Sequence, residues 1–123
     1  MSNYTTLAKI DVKNGSNKME ISKRDWKLYR EKIADWQERY IDRLNKEYIQ
    51  LLSSEDSRPS DKFWELEKRI RSDRRHPGVI IEMRKSSAIF DIASLVRLQV
   101  ISFEKLGDFS EDLQEAVKLL LSR

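Results

Sequence analysis

Between Ser22 and Leu52 the apolar positions follow a helical rhythm. Trp26, Tyr29, Ile33, Trp36 and Tyr40 come at steps of 3, 4, 3 and 4, and Leu44, Tyr48 and Leu52 continue at steps of 4. That spacing lines one helix face. It predicts a single amphipathic helix over residues 22–52, about 45 Å long at 1.5 Å per residue. Ser22 suits its start, since its hydroxyl can accept from the backbone NH of Asp25 and Asp25 can answer in a variant of the capping box. Ile21 and Trp26 stand at hydrophobic-staple spacing. On the outward face, Asp35/Arg39, Asp42/Lys46 and Arg43/Glu47 are opposite charges four apart, each pair worth about 0.2–0.5 kcal/mol. A heptad holds only from Trp26 to Tyr40. Beyond it the apolar steps drift to 4, which suits an ordinary helix on a core better than a two-stranded seam. The long helix therefore reads as scaffold.

Residues 53–60 (Ser-Ser-Glu-Asp-Ser-Arg-Pro-Ser) break the pattern. A second helix is expected from about Asp61, with Ser60 as cap or Pro59 in the first turn. Phe63, Leu66 and Ile70 would form its core-facing side, and it should stop at His76, because a proline disfavours helical geometry in the residue before it. Periodicity alone cannot assign the apolar run Val79–Met83. Reading it as helix lets Ala88, Ile89, Ile92, Ala93 and Val96 continue at helical spacing to about Leu98. Ser102–Gly107 resembles one capped turn, and Ser110 caps a last helix with Leu113, Ala116, Val117 and Leu120 inward. Ahead of all this, Met1–Lys18 is polar around a turn at Asn14-Gly15-Ser16, with Ala8, Ile10 and Val12 alternating; it reads as a short β-hairpin or a mobile arm. The predicted architecture is all-α. One long N-terminal helix carries three or four shorter helices in a single domain over residues 19–123, preceded by an arm at 1–18.

Composition narrows the function classes. The 123 residues are 37% charged and 39% hydrophobic, with a net charge of +3. No apolar run approaches the ~18 residues of a membrane span, and no signal-peptide core precedes the first helix. The expected setting is cytoplasmic, without membrane. The absence of cysteine, a single histidine and only three glycines leave no basis for a thiolate metal site, a histidine cluster, a cysteine nucleophile or a phosphate-cradling glycine loop. No cofactor or metal is expected. Acid pairs such as Glu65/Glu67 and Glu111/Asp112 lie two or fewer apart and face different ways on a helix.

The net charge is small, but it is unevenly placed. Basic residues concentrate in Arg58–Lys85, while the chain after Ser86 leans acidic. Within the basic stretch Trp64, Lys68, Arg71 and Arg75 stand at steps of 4, 3 and 4 on one helix face, with Arg74 beside them. Guanidinium groups bind phosphate or carboxylate bidentately and an indole can stack. This face is the candidate partner-binding surface, for an acidic protein or for nucleic acid. The plainer alternative is a packed Trp64 with arginines that snorkel or pair with Glu65, Glu67 and Asp73.

Arg71-Ser72-Asp73-Arg74-Arg75-His76 has the R-x4-H spacing of the HEPN family of all-helical ribonucleases and nucleotide-binding domains. That resemblance implies a dimer cleaving RNA without metal, with Arg71 stabilising the phosphate and His76 as acid or base. Ser72 departs from the larger polar residue usual after the arginine, and the histidine abuts Pro77; a structural His76 closing the helix is the alternative. A broader resemblance spans Trp26 to Val117. Trp36-Gln37-Glu38-Arg39-Tyr40, Phe63-Trp64-Glu65-Leu66-Glu67, Arg74-Arg75-His76-Pro77-Gly78 and Ile101-Ser102-Phe103-Glu104-Lys105-Leu106 are similar to a family of small helical proteins from Gram-positive bacteria and their mobile elements. Some members carry a transporter label that this sequence does not support. The resemblance implies an accessory protein, phage- or transposon-borne, of a kind that often blocks a host or defence factor. The expected function is a non-enzymatic interaction or regulatory module using the basic Trp/Arg face. An HEPN-like ribonuclease and a homodimerising structural element are the alternatives.

Overall fold

A computed structural model of the chain describes residues 19–123; the hairpin or arm expected at 1–18 lies outside them. The fold is all-α. Four α-helices, α1 (Lys23–Ser53), α2 (Pro59–Asp73), α3 (Ala88–Arg97) and α4 (Glu111–Leu121), are joined by turns that include two short 3-10 segments, Lys85–Ser87 and Phe103–Leu106. No strand occurs among the described residues. The 31 residues of α1 run about 46 Å at 1.5 Å per residue. Two compact units form, one from the start of α1 to Glu31 together with Met83–Arg123, the other from Lys32–Glu82.

In the first unit, apolar spacing decides the packing. Ile89, Ile92, Ala93 and Leu95 of α3 are buried, as are Leu113, Ala116, Val117 and Leu120 of α4. The Ser110 hydroxyl caps α4 by accepting from Leu113 N at 3.1 Å. Ahead of α1, Ser22 Oγ accepts from Asp25 N at 3.1 Å, as its cap position requires. The reciprocal half of the capping box is replaced by something longer-range. The Asp25 carboxylate, 1% exposed, accepts from Ser110 N at 3.0 Å and from Ser110 Oγ at 2.5 Å. One serine thus caps α4 and satisfies a buried carboxylate of α1, because a desolvated charge needs donors that a surface cap would leave to water. Tyr29, one turn further along α1 and fully buried, has its phenol pushed upward, first by burial and then by the Asp91 carboxylate. The chain leaves α3 through Gln99 at φ 62°, the left-handed position that ends many helices. Val100 N then donates to Leu95 O at 2.8 Å, and Val100 and Ile101 turn into the core.

The segment Val79–Met83 is not helical, contrary to expectation. Val79 closes a turn and the residues after it belong to no regular element, with Val79, Ile81 and Met83 half-buried and Ile80 and Glu82 exposed. That alternation has period 2, and helix geometry begins only at the 3-10 turn from Lys85. α2 likewise ends at Asp73, three residues before His76.

Candidate functional site

The second unit is a helical hairpin whose two helices meet through charge. α2 begins with Pro59 as its first residue, where the missing NH costs nothing. Its inward stripe is Lys62, Leu66, Arg69 and Asp73, spaced 4, 3 and 4, and all four are half-buried. The Lys62 ammonium donates to Leu52 O at 3.2 Å and to Ser54 O. These are carbonyls at the end of α1, whose own last turn carries no basic residue, so Lys62 supplies the cation that a helix C-terminus favours. Arg69 reaches Glu47 at 2.6 Å, stands 3.8 Å from Asp73, and lies over the Tyr48 ring at 5.5 Å. The Tyr48 hydroxyl donates to Asp73 at 2.5 Å. Partial burial and this bond push the Tyr48 phenol up to about 12. Glu47 is engaged by Arg69 of α2, and the Arg43 guanidinium stands over the Tyr40 ring at 4.9 Å. The pairs Asp35/Arg39 and Asp42/Lys46 form as expected, at 2.9 and 3.0 Å.

Beyond Asp73 the chain turns on Tyr40. The His76 ring stacks on it at 4.7 Å with an interplanar angle of 13°. His76 Nδ1 accepts from Gly78 N at 3.0 Å, and Pro77 O accepts from Gln37 Nε2 at 3.0 Å. A Cβ at Gly78 would stand 2.3 Å from the Tyr40 ring, so only glycine allows this approach. His76 O accepts from Val79 N and Ile80 N, which closes the corner.

These contacts rotate α2 away from the expected orientation. Of the supposed core face, only Leu66 points inward; Phe63 is 60% exposed and Ile70 44%, and α2 buries no residue completely. The reason lies in the polar stripe: four bonds or ion pairs to the end of α1 fix the helix about its axis. At about 100° per residue, fixing Lys62, Arg69 and Asp73 inward carries Phe63 and Ile70 to the edge and beyond. Burial along α1 fades over the same length. Ile33, Trp36 and Leu44 are buried, Tyr48 is half-buried, and Leu52, read from sequence as continuing the inward stripe, is exposed.

Trp64, Lys68 and Arg71 lie on the outer half of α2, and Trp64 is 63% exposed; Arg74 and Arg75, expected on the same helix face, are exposed in the turn that follows Asp73. Trp64 is thus not packed, although the arginine pairing of that plainer alternative does occur, Arg71 with Glu67 and Arg69 with Asp73. Phe63 and Trp64 meet edge to face at 4.9 Å, joining the basic face to the apolar residues that periodicity assigns to the core. Arg71 is bound by Glu67, and its guanidinium holds that carboxylate below the usual range. Lys68, Arg74 and Arg75 form no ion pair among the described residues. Arg71 and His76 have different neighbours: one is tied to Glu67 on the outer face, the other to Tyr40 and Gly78 at the corner.

Ile49, Leu52, Phe63, Trp64, Ile70 and Ile80 make six of the nine large hydrophobic residues exposed among the described residues, and all six belong to the 32–82 unit. Apolar periodicity misses Phe63 and Ile70 as surface residues. The signal that could have found them is the 4-3-4 stripe of Lys62, Leu66, Arg69 and Asp73, which matches the polar end of α1 better than an apolar stripe would. Among the described residues no group of His, Asp and Glu could hold a metal ion, and no helix is long and apolar enough to cross a membrane. No family model, curated protein or solved structure matches the chain.

Proposed function

We propose that the chain is a non-enzymatic interaction or regulatory module that engages a macromolecular partner through the outer face of α2. Trp64, Lys68, Arg71, Arg74 and Arg75 supply its basic and aromatic character, and Phe63 and Ile70 extend it. The observation that carries this reading is a helix with no buried residue that holds three large apolar side chains in water, beside three cations without an ion pair among the described residues. Large exposed apolar groups gathered on one element mark contact surfaces more often than they mark nothing. Tryptophan and arginine are the residue types that carry most binding energy at such surfaces. The sequence resemblance to mobile-element accessory proteins adds the kind of regulation: blocking a host or defence factor.

The test is photo-crosslinking from position 63, with Phe63 replaced by p-benzoylphenylalanine in the full chain expressed in its host. A discrete adduct that disappears when Arg74→Glu and Arg75→Glu are added supports the module. No adduct, or one indifferent to both changes, defeats it.

A further inference from the structure

The outer face of α2 is not uniformly cationic, and its pattern selects a partner. Around the helix axis, Glu67 falls between Phe63 and Ile70 on one side and Trp64 and Lys68 on the other. A carboxylate therefore stands in the middle of this surface, bound by Arg71. A polyphosphate backbone or an anionic lipid surface laid over this face would meet that charge, and with Arg71 engaged only Lys68, Arg74 and Arg75 remain to offset it. Nucleic-acid affinity grows with the number of phosphates neutralised, and three cations around a carboxylate make a weak site. Protein interfaces have the opposite anatomy: an apolar, aromatic centre, few charges within it and a polar rim.

Here the central carboxylate is neutralised by Arg71, and large apolar groups lie on both sides of that pair. Phe63 and Trp64 touch edge to face, Ile70 lies two turns along from Phe63, and Lys68, Arg74 and Arg75 flank them. Leu52, whose carbonyl accepts from the Lys62 ammonium of the first turn of α2, is exposed as well. A second copy docked on the same face would bring two sets of Lys68, Arg74 and Arg75 into one interface, and the accumulated like charge opposes it. We infer that this face docks an acidic amphipathic segment of another protein, its apolar side chains resting on Phe63, Trp64 and Ile70 and its carboxylates meeting Lys68, Arg74 and Arg75. The inference rests on the partner-binding reading of the same face and narrows it to one partner chemistry.

A random peptide library displayed on phage, selected on the intact chain, tests it. Enriched peptides should carry apolar residues at helical spacing flanked by Asp or Glu. The best of them, made as a fluorescent peptide, should lose at least about tenfold in affinity to Trp64→Ala and to the Arg74→Glu, Arg75→Glu double variant, as Trp and Arg anchors do. Replacing the peptide's acids by lysine should restore binding to the double variant, which a misfolded protein could not achieve. A 20-nucleotide oligothymidylate and phosphatidylglycerol vesicles serve as competing probes. Peptides that bind the variants undiminished overturn the inference, as does self-association that the same variants abolish. If the oligonucleotide or the vesicles bind through these residues and no peptide does, the acidic segment is wrong and the partner-binding reading stands. If no probe binds and position 63 crosslinks to nothing, both fall.

Discussion

α2 and α4 have similar lengths and similar apolar periodicity, yet they pack by different physics. α4 turns Leu113, Ala116, Val117 and Leu120 inward and buries all four, so its orientation is set by the hydrophobic effect. α2 turns Lys62, Leu66, Arg69 and Asp73 inward and leaves Phe63, Trp64 and Ile70 in water. Its orientation is set by directed bonds to the end of α1. Where an apolar stripe and a polar stripe compete for the inward position, the identity of the receiving surface decides. The end of α1 presents Glu47, Tyr48 and the carbonyls of Leu52 and Ser54 to α2, and an apolar stripe would leave these groups without partners.

Substitutions on either helix can erase this difference, and the largest effect belongs to the apolar side. Leu113→Ala removes a side chain 2% exposed and is expected to destabilise the protein by about 2–5 kcal/mol, measured by urea unfolding. Next comes the corner on Tyr40. Gly78→Ala puts a methyl against the ring at 2.3 Å, and displacing an aromatic ring should cost about 1–3 kcal/mol. The expected signature includes loss of the His76–Tyr40 stack in aromatic ring-current shifts.

A smaller effect is expected from the polar stripe. Tyr48→Phe deletes the donor to Asp73, at about 1 kcal/mol. It also carries a pH signature. Tyr48 titrates higher folded than unfolded, so between about pH 10 and 12 the unfolded chain releases its phenol proton first. Stability that is fully present below about pH 10 is lost as pH rises through this window. Tyr29 and Tyr40 are raised too and add to the loss. Alkaline titration of the unfolding midpoint should show a shallower decline in Tyr48→Phe. The smallest effect is assigned to residues that periodicity alone would rank as core. Phe63→Ser with Ile70→Ser should shift stability by no more than about 0.5 kcal/mol, as surface changes do. Calorimetry of the double variant checks this, and a loss near that of Leu113→Ala would make α2 a second α4.

Much of the fold was legible in sequence, for particular reasons. The α1 boundaries followed from Ser22 and the serine-rich break. The α4 face and most of the α3 face followed from apolar spacing, because burial of a single stripe decides how each of those helices lies; in α3, Leu95 is buried where the spacing named Val96. Three features were not legible. α2 carried two stripes, and choosing between them needed knowledge of what the end of α1 offered. Val79–Met83, apolar apart from Glu82, was too short for period 2 to be told from 3.6. The Asp25–Ser110 link joins residues 85 apart, beyond any local pattern. Part of the basic half of the candidate site was legible because Trp64, Lys68 and Arg71 share a face on any helix, however it docks; Arg75, expected with them, falls in the turn after α2. Its apolar half, Phe63 and Ile70, depended on the docking and was hidden with it.

The proposed binding face exists only if α2 is rotated as described, and thiol reactivity measures that rotation directly. The chain contains no cysteine, so single substitutions Phe63→Cys, Leu66→Cys, Arg69→Cys and Ile70→Cys report only their own positions. Under native conditions the thiols introduced at 63 and 70 should react with a thiol reagent at rates close to the unfolded protein, and those at 66 and 69 several-fold more slowly. Protection at 63 and 70 with free reaction at 69 would return the apolar stripe to the core and remove the face.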